Sequence, residues 1–281
     1  MRCGSSMRRA RPRNRQTTPS TRRSAMRIEG TTALVTGAAS GIGKRFCEAL
    51  LAAGAARVIA LDHHAPGLRA LADTLGAPAR LRTMAVDVSQ ERAVAAAMAA
   101  LVDDGLVPDV LVNNAGVLRD GRLATLDAHR YARKLPTAQW GSVLGINLTG
   151  PFLLAREFVA ARLEAGAAPD GLIVNISSVS SAGNAGQSNY AAAKAGLDAL
   201  TRTWALELAE HRVRVAGLAP GLTDTPMAAT LDAATRARLI DEMPLKRMVS
   251  TDEIWLGLRF IIECDAYVGR TLAIDGGAAF G

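Results

Sequence analysis

The feature that most constrains the fold is a buried strand that runs directly into a glycine-rich turn and then into a helix. Residues 31–36 read TTALVT, and Gly37, Gly41 and Gly43 follow at once. Apolar residues with a helical period then run from 44 to 53 and end at a glycine. Glycines allow close backbone approach, and the N-terminus of a helix presents free N–H groups to a phosphate. This order predicts a dinucleotide-binding unit, although its G-x-x-x-G-x-G spacing differs from G-x-G-x-x-G.

An acidic residue follows the second predicted strand, 57–61. Asp62 lies 25 residues after Gly37, near the spacing of about 20 expected of the residue that binds the adenosine ribose. A carboxylate there accepts hydrogen bonds from a free 2′-hydroxyl and repels a 2′-phosphate, and no Lys or Arg lies in the glycine turn or directly after Asp62. The sequence therefore predicts NAD rather than NADP. His63 and His64 come next, but no third ligand has a useful spacing, so no metal site is predicted.

Strands and helices alternate along the rest of the chain. Further strands are predicted at 81–86, 110–112, 172–176, 212–218 and 271–274, and helices at 66–76, 90–102, 137–165, 189–210 and 256–262. This alternation predicts an α/β fold with one Rossmann-type, doubly wound parallel sheet and helices on both faces. Ligands of such sheets bind at the carboxyl ends of the strands. Residues 117–136 are predicted to be a polar loop, and residues 222–248 a mobile lid over the substrate.

The chemistry is predicted to centre on Tyr190 and Lys194, which lie four residues apart in an alanine-rich helix. That spacing places both side chains on one helical face. A nearby ammonium stabilises a phenolate and so lowers the phenol pKa, which allows tyrosine to exchange a proton with an alcohol or a carbonyl. Ser177 or Ser178, just upstream, supplies a hydroxyl for the substrate oxygen. Asn147 lies inside an apolar helix, where a polar side chain costs stability unless it is satisfied or used.

The N-terminal residues 1–25 differ in composition from the rest of the chain. They contain eight arginines and no acidic residue, and without those eight the 33 basic and 26 acidic side chains become 25 against 26. The net charge of +7 therefore comes from this segment. We expect a disordered Arg-rich extension at 1–25 and a catalytic domain at 26–281, with Met26 as an alternative start. The extension has no aromatic residue and no periodicity, so no specific nucleic-acid partner is predicted.

Cysteine content and hydropathy indicate the compartment. Cys3, Cys47 and Cys264 are widely separated and give neither a zinc spacing nor a disulfide framework, which indicates a reducing compartment. No apolar run approaches the roughly 18 residues of a membrane span. The sequence therefore predicts a cytoplasmic protein without a membrane partner.

Together these motifs resemble those of the short-chain dehydrogenase/reductase family, in its single-domain branch, from about residue 28 to residue 277. In chain order the matching motifs are Thr36-Gly37-Ala38-Ala39-Ser40-Gly41-Ile42-Gly43, Asp87-Val88, Asn113-Asn114-Ala115-Gly116, Asn147, Ser178, Tyr190-x-x-x-Lys194 and Pro220-Gly221. Each motif is weak alone, but their order and spacing are specific.

The resemblance implies a role for each of these residues. Tyr190 is the general acid/base, and Lys194 lowers its pKa and binds the nicotinamide ribose. Ser178 holds the substrate oxygen, while Asn147 bends its helix and anchors a water that links Lys194 to solvent. Besides Tyr190 and Lys194, the implied cofactor-binding residues are Gly37, Ser40, Gly41, Ile42, Gly43, Asp62, Asp87, Val88, Asn114, Ala115, Gly116, Pro220, Gly221 and Thr223.

Two points stay open at the level of sequence. The family serine usually stands thirteen residues before the tyrosine, a count that Ser177 meets, whereas the local pattern favours Ser178. The segment around Arg119-Asp120 is similar to that of 3-oxoacyl-carrier-protein reductases, which generally use NADP, whereas Asp62 favours NAD.

We therefore expect an NAD-linked dehydrogenase of a secondary alcohol or a 3-hydroxyacyl group. An NADPH-dependent 3-oxoacyl-carrier-protein or 3-oxoacyl-CoA reductase is the alternative. A non-catalytic dinucleotide-binding sensor or scaffold is the alternative of another class. The resemblance also implies a small-molecule carbonyl or alcohol substrate and a homotetramer.

Overall fold

The structure is a computed structural model, and it describes residues 26–166 and 170–278; the expected N-terminal extension lies outside the described residues. Nine strands are present in this part of the chain. They are β1 (Thr32–Thr36), β2 (Arg57–Asp62), β3 (Leu81–Ala85), β4 (Val110–Asn113), β5 (Ala124–Leu126), β6 (Ala132–Lys134), β7 (Gly171–Ile176), β8 (Val213–Pro220) and β9 (Thr271–Ile274).

Seven of the strands form one parallel sheet in the order β3-β2-β1-β4-β7-β8-β9. The order reverses between β1 and β4, so the carboxyl ends of these strands flank a crevice that suits a ligand. Consecutive strand residues face opposite sides, and Val35 and Leu34 belong to separate core layers. The predicted doubly wound α/β fold is confirmed.

Eight α-helices lie among the described residues, and they cover both faces of the sheet. They are α1 (Gly41–Ala52), α2 (Ala65–Leu75), α3 (Glu91–Asp103), α4 (Thr137–Leu144), α5 (Gly150–Glu164), α6 (Ser188–Glu207), α7 (Ala233–Glu242) and α8 (Thr251–Glu263). One layer contains Phe46 of α1 and Ile261 of α8. The other contains Met98 of α3, Phe158 of α5 and Trp204 of α6.

A π-helical turn, Gly145–Thr149, joins α4 to α5 and makes one continuous helical run. By length and composition, this run, Thr137–Glu164, also qualifies as a membrane span. However, 44% of its apolar window is buried, and Leu154 and Phe158 pack in the core beneath the sheet. Its burial is that of a core helix.

Two predicted loops contain regular structure. The 117–136 segment holds an antiparallel hairpin, in which β5 pairs with β6. The 222–248 segment holds α7, whose N-cap residue Asp232 accepts a hydrogen bond from the Thr235 amide at 2.8 Å. Neither the hairpin in the predicted loop nor α7 in the predicted lid was expected, because three-residue strands and a short polar helix give little periodicity.

Candidate active site

A cavity of about 770 Å³ opens at the carboxyl ends of the parallel strands. Most of the predicted site residues line it; Gly43 and Asn147 lie just behind its wall. The lining residues are Gly37, Ser40, Gly41, Ile42, Asp62, Asp87, Val88, Asn114, Ala115, Gly116, Ser177, Ser178, Tyr190, Lys194, Pro220, Gly221 and Thr223. The structure therefore brings together residues that are widely separated in sequence.

The glycine turn forms a cradle that side chains would fill. A Cβ atom built on Gly43 would lie 2.1 Å from the Gly37 carbonyl oxygen, so this position requires glycine. Gly37 has a φ of +66°, and its own Cβ would lie 2.9 Å from Ala115 Cα. The amides at the start of α1 face this turn, and its first turn carries no acidic residue. These features fit the pyrophosphate of a dinucleotide.

A brace of hydrogen bonds holds the glycine turn against the neighbouring strand. The Asn114 side-chain amide donates to the Thr36 carbonyl oxygen at 2.8 Å. In return, the Thr36 hydroxyl accepts from the Asn114 and Ala115 amides, both at 2.9 Å. Thr36 belongs to the glycine motif but was not predicted as a site residue, and these bonds show that it positions the glycine turn. Asn114 has this bracing contact in addition to its place in the cavity wall.

Asp62 is held with its carboxylate in the cavity wall at the end of β2. Its Oδ2 accepts a hydrogen bond from the Ala39 amide at 3.0 Å, and its Oδ1 accepts one from the His64 amide at 2.9 Å. Oδ2 keeps a further lone pair for a ribose hydroxyl, whereas His63 Nδ1 also lies 3.1 Å from Oδ1. No Lys or Arg is among the described residues that line the cavity between β1, β2 and β3. The surroundings of the carboxylate therefore suit an uncharged ribose edge.

Tyr190 and Ser178 meet on the cavity wall. Burial raises the pKa of Tyr190, and the Ser178 side chain acts in the opposite direction by favouring the phenolate. The Ser178 Oγ also accepts a hydrogen bond from the Ser180 amide at 3.1 Å. Ser177 points elsewhere, since its hydroxyl donates to the Lys194 carbonyl oxygen at 3.4 Å. The start of α6 thus presents the tyrosine, and the turn after β7 presents one of the two serines to it.

Lys194 lies buried beneath Tyr190, one helical turn along α6. Its side chain is 3% exposed, and its Nζ donates to the Ile176 carbonyl oxygen at 2.6 Å and lies 5.6 Å from the Tyr190 ring centroid. Burial lowers the pKa of Lys194 to about 8, while Asp198 opposes that shift. Burial also raises the pKa of Tyr190 to about 12, and Asp120 adds to it. The lowered Tyr190 pKa expected from Lys194 is therefore not found in the protein alone, because desolvation of the phenol dominates.

Asn147 lies within the π-helical turn and is fully buried. Its Oδ1 accepts from the Val117 amide at 2.9 Å, and its Nδ2 donates to the Val117 carbonyl oxygen at 3.0 Å. These two bonds satisfy the buried amide and attach the start of the 117–136 segment to the helix. π-Helical turns are frequent at functional sites, and this turn is the departure from a regular helix that the resemblance implies for Asn147.

Several cavity residues were missed by the sequence analysis as site residues. Gln187 donates from Nε2 to Asp120 Oδ2 at 2.9 Å, and Asn184 donates to Gln187 Oε1 at 3.1 Å. A main-chain bridge between Gly121 and Gln187 places this polar group beside Tyr190. The sequence signals were the similarity to 3-oxoacyl reductases around Arg119-Asp120 and that of residues 183–196, which mark a subgroup and assign no contact.

Comparison with a family profile shows the family to which this chain belongs. The family profile described as short chain dehydrogenase matches residues 31–236. This chain belongs to the short-chain dehydrogenase family. A 3-oxoacyl-[acyl-carrier-protein] reductase FabG of Thermotoga maritima is 36% identical over 256 residues, which cover 90% of this chain and 99% of the relative. The predicted family membership and the likeness to 3-oxoacyl reductases are confirmed.

Solved structures agree on the fold. A short-chain type dehydrogenase/reductase from Mycobacterium marinum has a TM-score of 0.80 at 28% identity, covering 89% of this chain and 96% of its own. A structure described as ribose-5-phosphate isomerase from Brucella melitensis 16M has a TM-score of 0.77 at 34% identity, covering 91% and 94%. By family, the chain is an oxidoreductase that acts on a CH–OH group with a nicotinamide dinucleotide. The non-catalytic alternative is not retained.

Proposed function

We propose that this oxidoreductase uses NAD(H) to interconvert a secondary alcohol and its ketone, with a 3-hydroxyacyl thioester as the first candidate substrate. Tyr190 is the general acid/base. The observation that carries the proposal is that the Tyr190 and Ser178 side chains line the same cavity, with Lys194 Nζ fixed one helical turn below by its hydrogen bond to the Ile176 carbonyl oxygen at 2.6 Å. A substrate oxygen between the two hydroxyls is within reach of both.

The bound dinucleotide supplies or accepts the hydride. The start of α1 and the cradle around Gly37 would hold its pyrophosphate, Asp62 its adenosine ribose, and Lys194 its nicotinamide ribose. In the direction of reduction, Tyr190 gives its hydroxyl proton to the carbonyl oxygen, which Ser178 holds by a hydrogen bond. The ammonium of Lys194 then favours the resulting phenolate. In the direction of oxidation, Tyr190 takes the alcohol proton.

The apolar side chains on the substrate side of the cavity favour a substrate with an acyl chain. Leu118, Met227, Leu231 and Leu239 contribute apolar side chains to the cavity wall. The FabG relative acts on a 3-oxoacyl group by name, which supports a 3-oxoacyl or 3-hydroxyacyl substrate and keeps an NADPH-dependent 3-oxoacyl-carrier-protein reductase as the second candidate. Isomerase activity is not proposed for this chain, because the glycine cradle fits a dinucleotide.

Asp62 supports NAD(H) over NADP(H). Its carboxylate is fixed by the Ala39 and His64 amides, so it cannot turn away from a 2′-phosphate without breaking two hydrogen bonds. Two like charges about 4 Å apart repel by about 1 kcal/mol in bulk water and by about 4 kcal/mol near a protein surface, and about 1.4 kcal/mol corresponds to a tenfold difference in affinity. We therefore expect NADH to bind at least about tenfold more tightly than NADPH at pH 8.

Fluorescence titration of NADH and NADPH at pH 8 tests this preference directly. The wild type should prefer NADH, and Asp62→Asn should lose most of that preference because it removes the charge and keeps the shape. Asp87→Asn is the matched control, since it neutralises another strand-end carboxylate of the same cavity. Preference of the wild type for NADPH would move the 3-oxoacyl-carrier-protein reductase to first place, and absence of binding would overturn the cofactor assignment.

We further propose that the protein forms a homotetramer in the cytoplasm. Phe152 on α5 and Leu256 and Phe260 on α8 are large apolar side chains that the single chain leaves exposed, which supports self-association. Sedimentation velocity should find one species of four chains. A monomer at micromolar concentration would contradict the tetramer.

A further inference from the structure

The helix α7, which borders the substrate side of the cavity, presents charged side chains to it. Thr235, Arg238, Leu239 and Glu242 of this helix all line the cavity. Their spacing places them on one helical face. Among the ten residues of α7 none is buried, so this face meets the open cavity rather than the protein core. Packing against a core does not account for two charged side chains on that face.

The position of α7 is fixed at both ends. Asp232 caps its first turn by accepting hydrogen bonds from the Thr235 amide at 2.8 Å and from the Thr235 hydroxyl at 2.6 Å. Met243, directly after the last turn, is buried in the core layer that contains α1 and α8. A helix this short is marginal in water by itself, so these two anchors determine where its inner face lies. Because the cap engages Thr235, the polar groups left to meet a ligand are Arg238 and Glu242.

Arg238 and Glu242 form an exposed ion pair. Nη1 of Arg238 donates to Glu242 Oε1 at 2.6 Å, and the two side chains are 61% and 56% exposed. An ion pair at such exposure contributes little to stability, because water screens it. Among the described residues, Nε and Nη2 of Arg238 have no acceptor. The guanidinium therefore keeps donors that can bind a phosphate through parallel hydrogen bonds.

The other charged side chains that line the substrate side are engaged elsewhere. Lys194 is buried below the reacting tyrosine, and Asp120 accepts a hydrogen bond from Gln187 at 2.9 Å. Arg119 donates to the main-chain carbonyl oxygen of the preceding residue at 2.9 Å. Arg238 has as its acceptor only an exposed side chain that can turn away into water. It is therefore the cation most readily offered to a substrate.

We propose that Arg238 binds the phosphate at the far end of a pantetheine-type thioester, and that Glu242 competes with this phosphate. The acyl part of the substrate reaches Ser178 and Tyr190, and its uncharged arm extends along the cavity to α7. This inference rests on the proposed function, because it takes a 3-hydroxyacyl thioester as the substrate. A short hydroxy acid would place its carboxylate beside the reacting carbon instead, where the Asp120 carboxylate would repel it.

Binding to the enzyme–NADH complex tests the inference without turnover, because a 3-hydroxyacyl group cannot give a hydride to a cofactor that is already reduced. Calorimetry compares 3-hydroxybutyryl-pantetheine with its 4′-phosphate. In the wild type, the phosphate should tighten binding by about fivefold, as expected for one exposed ion pair. Arg238→Gln should reduce this gain to less than about twofold. Glu242→Gln should increase it to about tenfold, because the competing carboxylate is gone.

The opposite directions of these two changes distinguish a ligand contact from a structural role. Both variants break the same ion pair of α7, so a disturbed helix would change the gain in the same direction in both. Arg236→Gln is the matched control, because this arginine belongs to the same helix and is not among the residues that line the cavity. It should keep the wild-type gain.

Failure of this inference and failure of the proposed function have different signatures. No gain from the phosphate in the wild type, or an equal gain in the wild type and Arg238→Gln, overturns the phosphate site while binding of the neutral thioester upholds the substrate class. If Arg238→Gln weakened binding of free 3-hydroxybutyrate and not that of the phosphorylated thioester, the phosphate assignment would be wrong. If neither thioester bound the NADH complex, the 3-hydroxyacyl substrate of the proposed function would be wrong, and the inference with it.

Discussion

The two ends of the cavity are built in different ways. The cofactor end consists of strand ends and main chain: the Gly37 turn, the fixed carboxylate of Asp62 and the Thr36–Asn114 brace. The reacting end consists of side chains from distant segments, where Tyr190 of α6 meets Ser178 after β7 and Asp120 of the 117–136 segment. The cofactor end therefore depends mainly on the shape of the main chain, together with the carboxylate of Asp62. The reacting end depends on a few side chains that distant segments of the chain bring together.

Because of this difference, we expect mutations at one end to change dinucleotide binding and mutations at the other end to change turnover. At the cofactor end, a single added methyl group meets backbone atoms, as the Gly43 position shows. At the reacting end, removal of the Tyr190 hydroxyl leaves the phenyl ring in place and creates no steric clash. Side-chain substitutions there should reduce turnover and leave dinucleotide affinity intact.

The largest effect is expected for Tyr190→Phe. Loss of the hydroxyl that we propose exchanges the substrate proton should lower kcat by about 10³-fold or more, because general acid/base catalysis contributes about 10²–10⁴-fold. Phenylalanine keeps the ring that packs over Lys194, so the Kd for NADH should stay within about threefold of the wild type. Steady-state kinetics and fluorescence titration measure the two quantities on one preparation.

Tyr131→Phe is the matched control for that change, because Tyr131 is 72% exposed and lies on the hairpin outside the cavity. It should keep full activity. If Tyr190→Phe weakened NADH binding as much as it slowed turnover, the separation between the two ends would be wrong.

A smaller effect should distinguish the two neighbouring serines. Ser178→Ala removes the hydroxyl that favours the Tyr190 phenolate and should lower kcat by about 10²-fold, as expected for loss of one donor to a developing charge. Ser177→Ala removes a hydroxyl that bonds the Lys194 carbonyl oxygen and should change kcat by less than about threefold. The reverse order of activities would assign the substrate oxygen to Ser177.

The cofactor end was largely predictable from the sequence because its geometry is local. Strand, glycine turn and helix occupy residues 31–53 without interruption, and Asp62 follows at the end of the next strand. Glycine is required where a Cβ atom would clash with the backbone. The positions of the glycines in the sequence therefore predict the shape of the turn between β1 and α1.

The reacting end was less predictable because it depends on long-range contacts. Asp120 bonds Gln187, which lies 67 residues later, and only the folded bridge at Gly121 brings them together. One local signal was also missed: Ser250 and Glu253 form a capping box, which starts α8 at Thr251 rather than at the predicted residue 256. The pKa of Tyr190 depends on burial, which spacing alone does not report.

The smallest expected effect, on the pH profile, is that of Asp120→Asn. Burial is the main reason that the pKa of Tyr190 stands at about 12, and the Asp120 charge raises it further. Removing that charge should ease deprotonation, so the rising limb of alcohol oxidation against pH should move to lower pH. Asparagine keeps an oxygen that accepts from Gln187, which separates the effect of charge from that of position.

Gln187→Leu provides the complementary control, because it removes the hydrogen bond and leaves the Asp120 charge in place. It should lower activity through misplacement of the 119–121 segment while the midpoint of the pH profile stays near the wild-type value. A midpoint that moves in Gln187→Leu and stays fixed in Asp120→Asn would show that contact, not charge, couples this segment to Tyr190. The position of the 119–121 segment, rather than the Asp120 charge, would then set the pH profile of Tyr190.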